Sequence, residues 1–430
     1  MMHIRKTTAI VAVLVAATIT YLASCSNDEV ITQHQSSAIH FVPVVDNAKN
    51  AGMTRNASAV TPTNFAEFDV WARNGSNYVM GSDANGFLIR KNSTIGVVDA
   101  IKSATNVWGY ANEEDVTYWP QGVSSLQFFG IAPSRVSGTV PGLTNLSIGN
   151  NAFSFDYEAK ETTISGTIAD HNLKTSHNNQ RDVVVTAKNI NFSDINVINN
   201  TKIWMSVPLT FKHVLSLISF EGMLESGIPN LNVKVYSITI CNAVRSGHCS
   251  VDANGNATWS NLGTAQRYAY TIMCGDDNGI QLHTTDGVYN GPVVNSGNDP
   301  TPLSSGSATT NSDILMVVPQ SFTAWNTTGG TVAKPDEQAG SYLKIRCDIM
   351  MGNSKMLAEP YVYVPLKEVR ADGTTNNLWD QKWEMGKHYK YRLVFGFGRD
   401  SNGKQNGTEI TFTVNLDNSW STTGNTVILQ

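Results

Sequence analysis

Apolar and polar positions alternate along much of the chain with a period of two. KVYSITI (234–240) and TEITFTVNL (408–416) show it most cleanly, the pattern of strands with one buried face. Shorter apolar runs, each fenced by Gly, Asn, Asp or Pro, recur at IHFVPVV (39–45), FAEFDVWA (65–72), LQFFGIA (126–132), DVVVTA (182–187) and PLTFKHVLSLISFEG (208–222). Further runs are LNVKVYSITI (231–240), ILMVVPQ (314–320), YLKIRCDIMM (342–351), EPYVYVPL (359–366) and KHYKYRLVFGF (387–397). In FAEFDVWA, Phe65, Phe68, Val70 and Trp71 fit no helical stripe, and long amphipathic helices are absent. Many short strands joined by polar turns predict an all-β chain of β-sandwiches. In IHFVPVV, Ile39, Phe41 and Val45 share a face, and Pro43, which has no N–H to give a ladder, makes this an edge strand.

Polar stretches set the expected organisation. Residues 46–64 form a long polar loop holding Lys49 and Arg55. HNNQRDVVV (177–185) and the following INFSDINVINNTKIWMS (190–206) mark a boundary, giving an N-terminal domain over 38–200 and a C-terminal domain over 201–430. Both sizes fall in the ordinary domain range.

The N-terminus has a different character. Arg5 and Lys6 precede the apolar run TAIVAVLVAATITYLA, which is too short and too early for an ordinary membrane span. Residues 1–24 therefore read as a secretory signal, followed by a polar tether over 25–37. Leu22-Ala23-Ser24-Cys25 resembles the bacterial lipobox, in which the cysteine is acylated and becomes the new N-terminus. Asp28 and Glu29 resemble the acidic signals that direct some lipoproteins to the outer face of the outer membrane. Each buried acyl methylene contributes about 0.8 kcal/mol, so a multiply acylated Cys25 would hold firmly.

Composition narrows the class. Charged residues make up 15% of the 430, well below the ordinary quarter, and glycine is frequent at 34. That profile suits an extracellular β protein. Net charge is −5 with no basic block, which argues against nucleic acid as a partner. Apart from Cys25, the cysteines are Cys241, Cys249, Cys274 and Cys347, with no CxxC spacing. Two readings stand for them: pairing, with Cys241 and Cys249 closing a hairpin, or unpaired burial.

Candidate chemistry is sparse. The nine histidines are scattered, and no zinc spacing, nucleophile elbow or Walker loop is present. Asp252-Ala-Asn254-Gly-Asn256 and Asp400-Ser-Asn402-Gly-Lys404 begin like calcium loops but lack the distal ligands, and read as hairpin turns. His213 sits in an alternating run as a packed strand residue, and Trp119, Trp383 and Trp420 as core or sheet-edge packing. No cofactor, metal site or catalytic constellation is expected.

Several stretches together resemble the fimbrillin family of Bacteroidales-type anaerobes. They are VTYWPQGVSSLQFFGIAPS (116–134), PLTFKHVLSLISFEG (208–222), ILMVVPQ (314–320) and WEMGKHYKYRLVF (383–395), with the final strand ending in Trp420 and the lipobox. The resemblance implies two transthyretin-like Greek-key β-sandwich domains in tandem. It also implies a lipoprotein whose partners are other fimbrial subunits, the outer membrane through lipid on Cys25, and an Arg-directed processing protease. In that family the loop after the first strand is cut, the strand leaves, and a strand from a neighbouring subunit fills the groove.

Carried onto this chain, the removable strand is IHFVPVV, with Ile39, Phe41 and Val45 inward. Arg55, in the small polar context MTRNAS, is the cleavage candidate, against the alternative of an ordinary solvated loop arginine; Arg73 abuts a strand and is a poorer one. The tail STTGNTVILQ (421–430) supplies a donor candidate at Val427, Ile428 and Leu429, against the alternative that it pairs within its own sheet. A stalk subunit needs groove and donor, a tip or accessory adhesin only the groove, and a lipid-retained anchor keeps its first strand. The Gly/Asn-rich stretch 274–307 is long for a connection and is a candidate loop for a host surface ligand, or tolerated decoration.

Overall fold

The alternating runs fold into strands, as a computed structural model of the chain shows. It describes residues 38–45, 64–97, 99, 102–103, 106–159, 162–165, 174–176, 180–199, 202–224, 230–260, 267–274, 279–282, 301–303, 315–324, 340–357, 360–367, 382–395 and 413–417. Among them the only helical pieces are Glu113–Asp115 and Phe192–Ile195, and no helix is long and apolar enough to cross a membrane. The chain is all-β.

The largest sheet has nine strands. Its order is His40–Val45, Lys202–His213, Val184–Asn191, Ser125–Ala132, Glu67–Asn74, Phe87–Lys91 and Trp108–Tyr110, with Asn196–Asn199 beside Lys202–His213 and Asn77–Met80 beside Glu67–Asn74. Its pairs are antiparallel except the first, where His40–Val45 runs parallel to Lys202–His213 with His40 opposite Ser206 and Val45 opposite Phe211. The two end strands of this order meet: Ile39 N–H donates to the carbonyl of Thr117 at 2.8 Å, and the rings of Phe41 and Tyr110 lie 6.3 Å apart.

Both faces of this sheet are buried, which explains why FAEFDVWA shows no alternation. Phe68, Val70 and Ala72 face one core with Phe41, Phe128, Val184 and Phe211. Trp71 faces the other, with Phe129, Ile131, Val183 and Val185. That second face meets a four-stranded sheet ordered Ala257–Ser260, Ser246–Asp252, Ala152–Glu158 and Leu143–Ile148, where Phe129 meets Phe153 edge-on at 5.6 Å.

Two larger sheets belong to the C-terminal half, beside a short pair of Gln320–Ser321 with Lys382–Trp383. One is Thr301–Pro302, Ser216–Leu224, His388–Phe395 and Thr413–Asp417, with Leu315–Val317 beside Ser216–Leu224. The other is Arg267–Met273, Leu231–Val244, Tyr342–Met351 and Ser354–Lys355, joined by Ile280–Leu282 and Tyr361–Pro365.

Two sequence expectations meet a different arrangement. Hydrogen bonding does not stop between residues 200 and 201: Asn199 pairs with Lys202, and Lys202–His213 completes the nine-stranded sheet. Asn196–Asn199 and residues 202–205 pair antiparallel, because turn and linker chemistry use the same residues and polar composition alone does not separate them. In addition, Ser246–Asp252 pairs with Ala152–Glu158, so the chain returns to the first half after residue 244. The run 208–222 is two strands, broken at Val214 and Leu215, where the chain changes sheets. Both residues are fully buried, so the hydrophobic pattern runs on across the break.

Candidate functional site

The first strand occupies a slot at the edge of the nine-stranded sheet. Ile39 and Val45 are buried and Phe41 is 2% exposed, whereas Val42 and Val44 on the opposite face are 49% and 55% exposed. Pro43 pairs with Leu209 without donating, as an edge position permits. Phe41 is the centre of an aromatic box: it meets Phe68 at 5.9 Å, Tyr110 at 6.3 Å and Phe128 at 6.1 Å, each edge to face. Such pairs add about 0.5–1.5 kcal/mol beyond the area they bury.

Polar contacts fix the strand along its length. Tyr110 Oη donates to the carbonyl of Ile39 at 2.8 Å. Burial raises the pKa of that phenol well above the ordinary range and keeps it a donor. His40 Nε2 lies 2.7 Å from Ser206 Oγ on the neighbouring strand. Burial lowers the imidazole pKa below its ordinary value and favours the neutral ring; its Nδ1 has no hydrogen-bond partner among the described residues.

The alternation placed Ile39, Phe41 and Val45 inward, and they lie together in the slot. It did not single out His40, Tyr110, Thr117 or Ser206. His40 is on the outward phase yet 3% exposed, and its partner is 166 residues away, so no local signal could mark it. Cys25, Arg55, Val427, Ile428, Leu429 and Trp420 lie outside the described residues. Arg73 is within Glu67–Asn74, 7% exposed, with Nη1 donating to the carbonyl of Ile148 at 3.1 Å and the guanidinium 4.1 Å over the Tyr78 ring. A protease cannot reach it there.

The remaining candidates resolve as structure. Asp252 closes the hairpin between Ser246–Asp252 and Ala257–Ser260, its Oδ1 accepting from the N–H groups of Asn254 and Asn256 at 2.9 and 2.8 Å. Asp400–Lys404 is outside the described residues. His213 Nδ1 lies 2.7 Å from Asp182 Oδ2 in the interior. Trp119 donates to the carbonyl of Val123 at 2.6 Å, and Trp383 to Tyr391 Oη at 2.9 Å; both rings are buried. Cys241, Cys249, Cys274 and Cys347 are buried and in no disulfide, so no bridge closes the Cys241/Cys249 hairpin. Among the described residues no group of three His, Cys, Asp or Glu could hold a metal ion.

No curated protein sequence matches the chain. Among solved structures, a fimbrial protein from Bacteroides vulgatus ATCC 8482 is similar at 15% identity and TM-score 0.44, covering 89% of this chain and 99% of that one. A fimbrilin from Porphyromonas gingivalis W83 is similar at 10% identity and TM-score 0.38, covering 88% and 96%. The family model described as fimbrillin-like matches residues 54–416, ending at Leu416 in the last described strand. That span takes in most of the chain, and the protein belongs to the fimbrillin-like family.

Proposed function

We propose that the protein is a non-enzymatic structural subunit of cell-surface fimbriae. It is exported as a lipoprotein, held at the outer membrane by acyl chains on Cys25, and built into a fibre by exchange of its first strand. A protease cuts after Arg55, the lipid and first strand leave together, and a strand from a neighbouring fimbrial subunit enters the slot. On the same reading Val427, Ile428 and Leu429 form the strand this chain offers to the next subunit. The chain then comprises two β-sandwich units, changing sheets at Val214 and Leu215 and returning to the first unit with Ser246–Asp252.

The observation that carries this reading is the seating of His40–Val45. Among the described strands it has one ladder neighbour, which it meets in parallel, and it plugs an aromatic core. Its removal would expose that core and a row of unpaired backbone groups, the condition for β-strand addition.

N-terminal sequencing of the protein purified from the cell surface tests it. A start at Asn56, lost in Arg55→Ala together with the fibres, is the expected result. An acylated start at Cys25 in mature fibres would instead identify a retained anchor. A tip or accessory adhesin would keep the Asn56 start but need no donor, so deletion of residues 424–430 would leave fibre length unchanged. For a stalk subunit the same deletion leaves a folded monomer and shortens or abolishes the fibres.

A further inference from the structure

The slot has a counterpart in the second half of the chain. Ser216–Leu224 runs parallel to His388–Phe395, as His40–Val45 runs parallel to Lys202–His213. The two slot strands share an order of side chains: Ile39, His40, Phe41 and Val45 in one, and Ile218, Ser219, Phe220 and Leu224 in the other. In each, the middle residue of the triplet makes a His–Ser hydrogen bond of 2.7 Å to the parallel partner, with the roles exchanged: His40 meets Ser206 in a partly buried bond, and Ser219 meets His388 in a buried one. In each, the phenylalanine is buried beside a tyrosine, Phe41 by Tyr110 and Phe220 by Tyr391 at 5.3 Å. The second strand differs in being interior, with Leu315–Val317 and Thr301–Pro302 on its other side, and its place is filled permanently, because Ser216–Leu224 follows Lys202–His213 after only two residues. It displays what a lasting occupant looks like.

We infer that the first slot selects its occupant by sequence. It takes an extended segment of another fimbrial subunit, running parallel to Lys202–His213, with an aliphatic, a hydrogen-bonding and an aromatic residue in succession and a further aliphatic four positions on. This rests on the strand-exchange reading and names the partner's chemistry. The backbone of the first position is fixed by Thr117 and Tyr110, the second side chain is read by Ser206, and the third by the rings of Phe68, Tyr110 and Phe128. Positions 42 and 44 face solvent and are not read.

The requirement for a ring separates donors. STTGNTVILQ (421–430) contains no aromatic residue, so a copy of this chain offers only aliphatic groups to the box. An aliphatic side chain there leaves part of the volume empty, and the cost grows with the cavity. The slot therefore prefers a strand from a different subunit, and the tail of this chain serves a subunit whose slot lacks this box.

Competition between peptides on the full-length chain tests the inference. A protease site placed in 46–63 is cut, leaving every residue present, and labelled peptides compete with the resident strand. AIHFVPVV should enter, and the same peptide with Phe41→Ala should bind about 100-fold more weakly or worse. A peptide with Val42→Thr and Val44→Thr should match the parent, and STTGNTVILQ should bind about tenfold more weakly or worse. Equal entry by the Phe41→Ala peptide overturns selection by the ring, and equal entry by STTGNTVILQ overturns the preference for a different subunit. Failure of AIHFVPVV itself to enter overturns the strand-exchange reading beneath both.

Discussion

Tyr110 Oη donates to the carbonyl of Ile39 at 2.8 Å, joining residues 71 apart where the two ends of the nine-stranded sheet meet. The phenol is fully buried, so no water can replace it as the donor. This one bond ties the first strand to the strand that would otherwise be the far edge. Tyr110→Phe keeps the ring against Phe41 and removes only the donor. Loss of a partner for a buried carbonyl costs about 1–3 kcal/mol. Amide exchange across residues 39–45 should rise while exchange in Leu231–Val244 stays unchanged. Equal protection in the variant would show that the bond does not hold the strand.

Seating of the first strand should weaken in acid. Burial lowers the His40 pKa below the ordinary 6.5, so the seated ring resists the proton that a released strand takes up near that pH. The released state binds more protons, stability therefore rises with pH, and the contribution is lost as pH falls below the unfolded value. Exchange at residues 39–45, corrected for its intrinsic rate, should be faster at about pH 5.5 than at about pH 7.5. His40→Gln, which keeps a hydrogen-bonding group for Ser206, should flatten that difference. A slope unchanged in this variant would place the titration elsewhere.

Cys249, Cys274 and Cys347 should be silent to thiol reagents in the folded protein. All three are fully buried, and burial pushes the Cys249 and Cys347 thiols up to about 12 and raises Cys274 as well. The thiolate is the reactive form, so neither access nor charge favours attack. Site-resolved mass spectrometry after alkylation should find them unmodified until denaturant is added. Native labelling at any of the three would contradict the packing.

Asp182 and His213 form a buried polar pair, with side chains 0% and 3% exposed. Loss of a buried hydrogen-bonding partner costs about 1–3 kcal/mol. Asp182→Ala should lower the unfolding free energy by about that much and disturb the end of Lys202–His213. Denaturant titration checks it. A loss of less than about 1 kcal/mol would mean that the pair is dispensable to the fold.

The strand content was legible because period-two patterning is local: Leu231–Val244, Tyr342–Met351 and His388–Phe395 fall where their apolar runs do. The inward face of IHFVPVV and its edge position were legible for the same reason, through Phe41 and Pro43. The change of sheet at Val214 and Leu215 was not, because both residues are buried inside an unbroken apolar run.

By itself, then, the chain's order of residues determined an all-β protein and the inward side chains Ile39, Phe41 and Val45. Only the tertiary structure decided what receives them. Tyr110, Thr117 and Ser206 reach the first strand from 71, 78 and 166 residues beyond their contacts on Ile39 and His40. The likeness between the slots of His40–Val45 and Ser216–Leu224 also appears only in space. Side-chain patterning reports which face of a strand is buried. Which strand lies beside it is settled by hydrogen-bond register and packing across the whole chain.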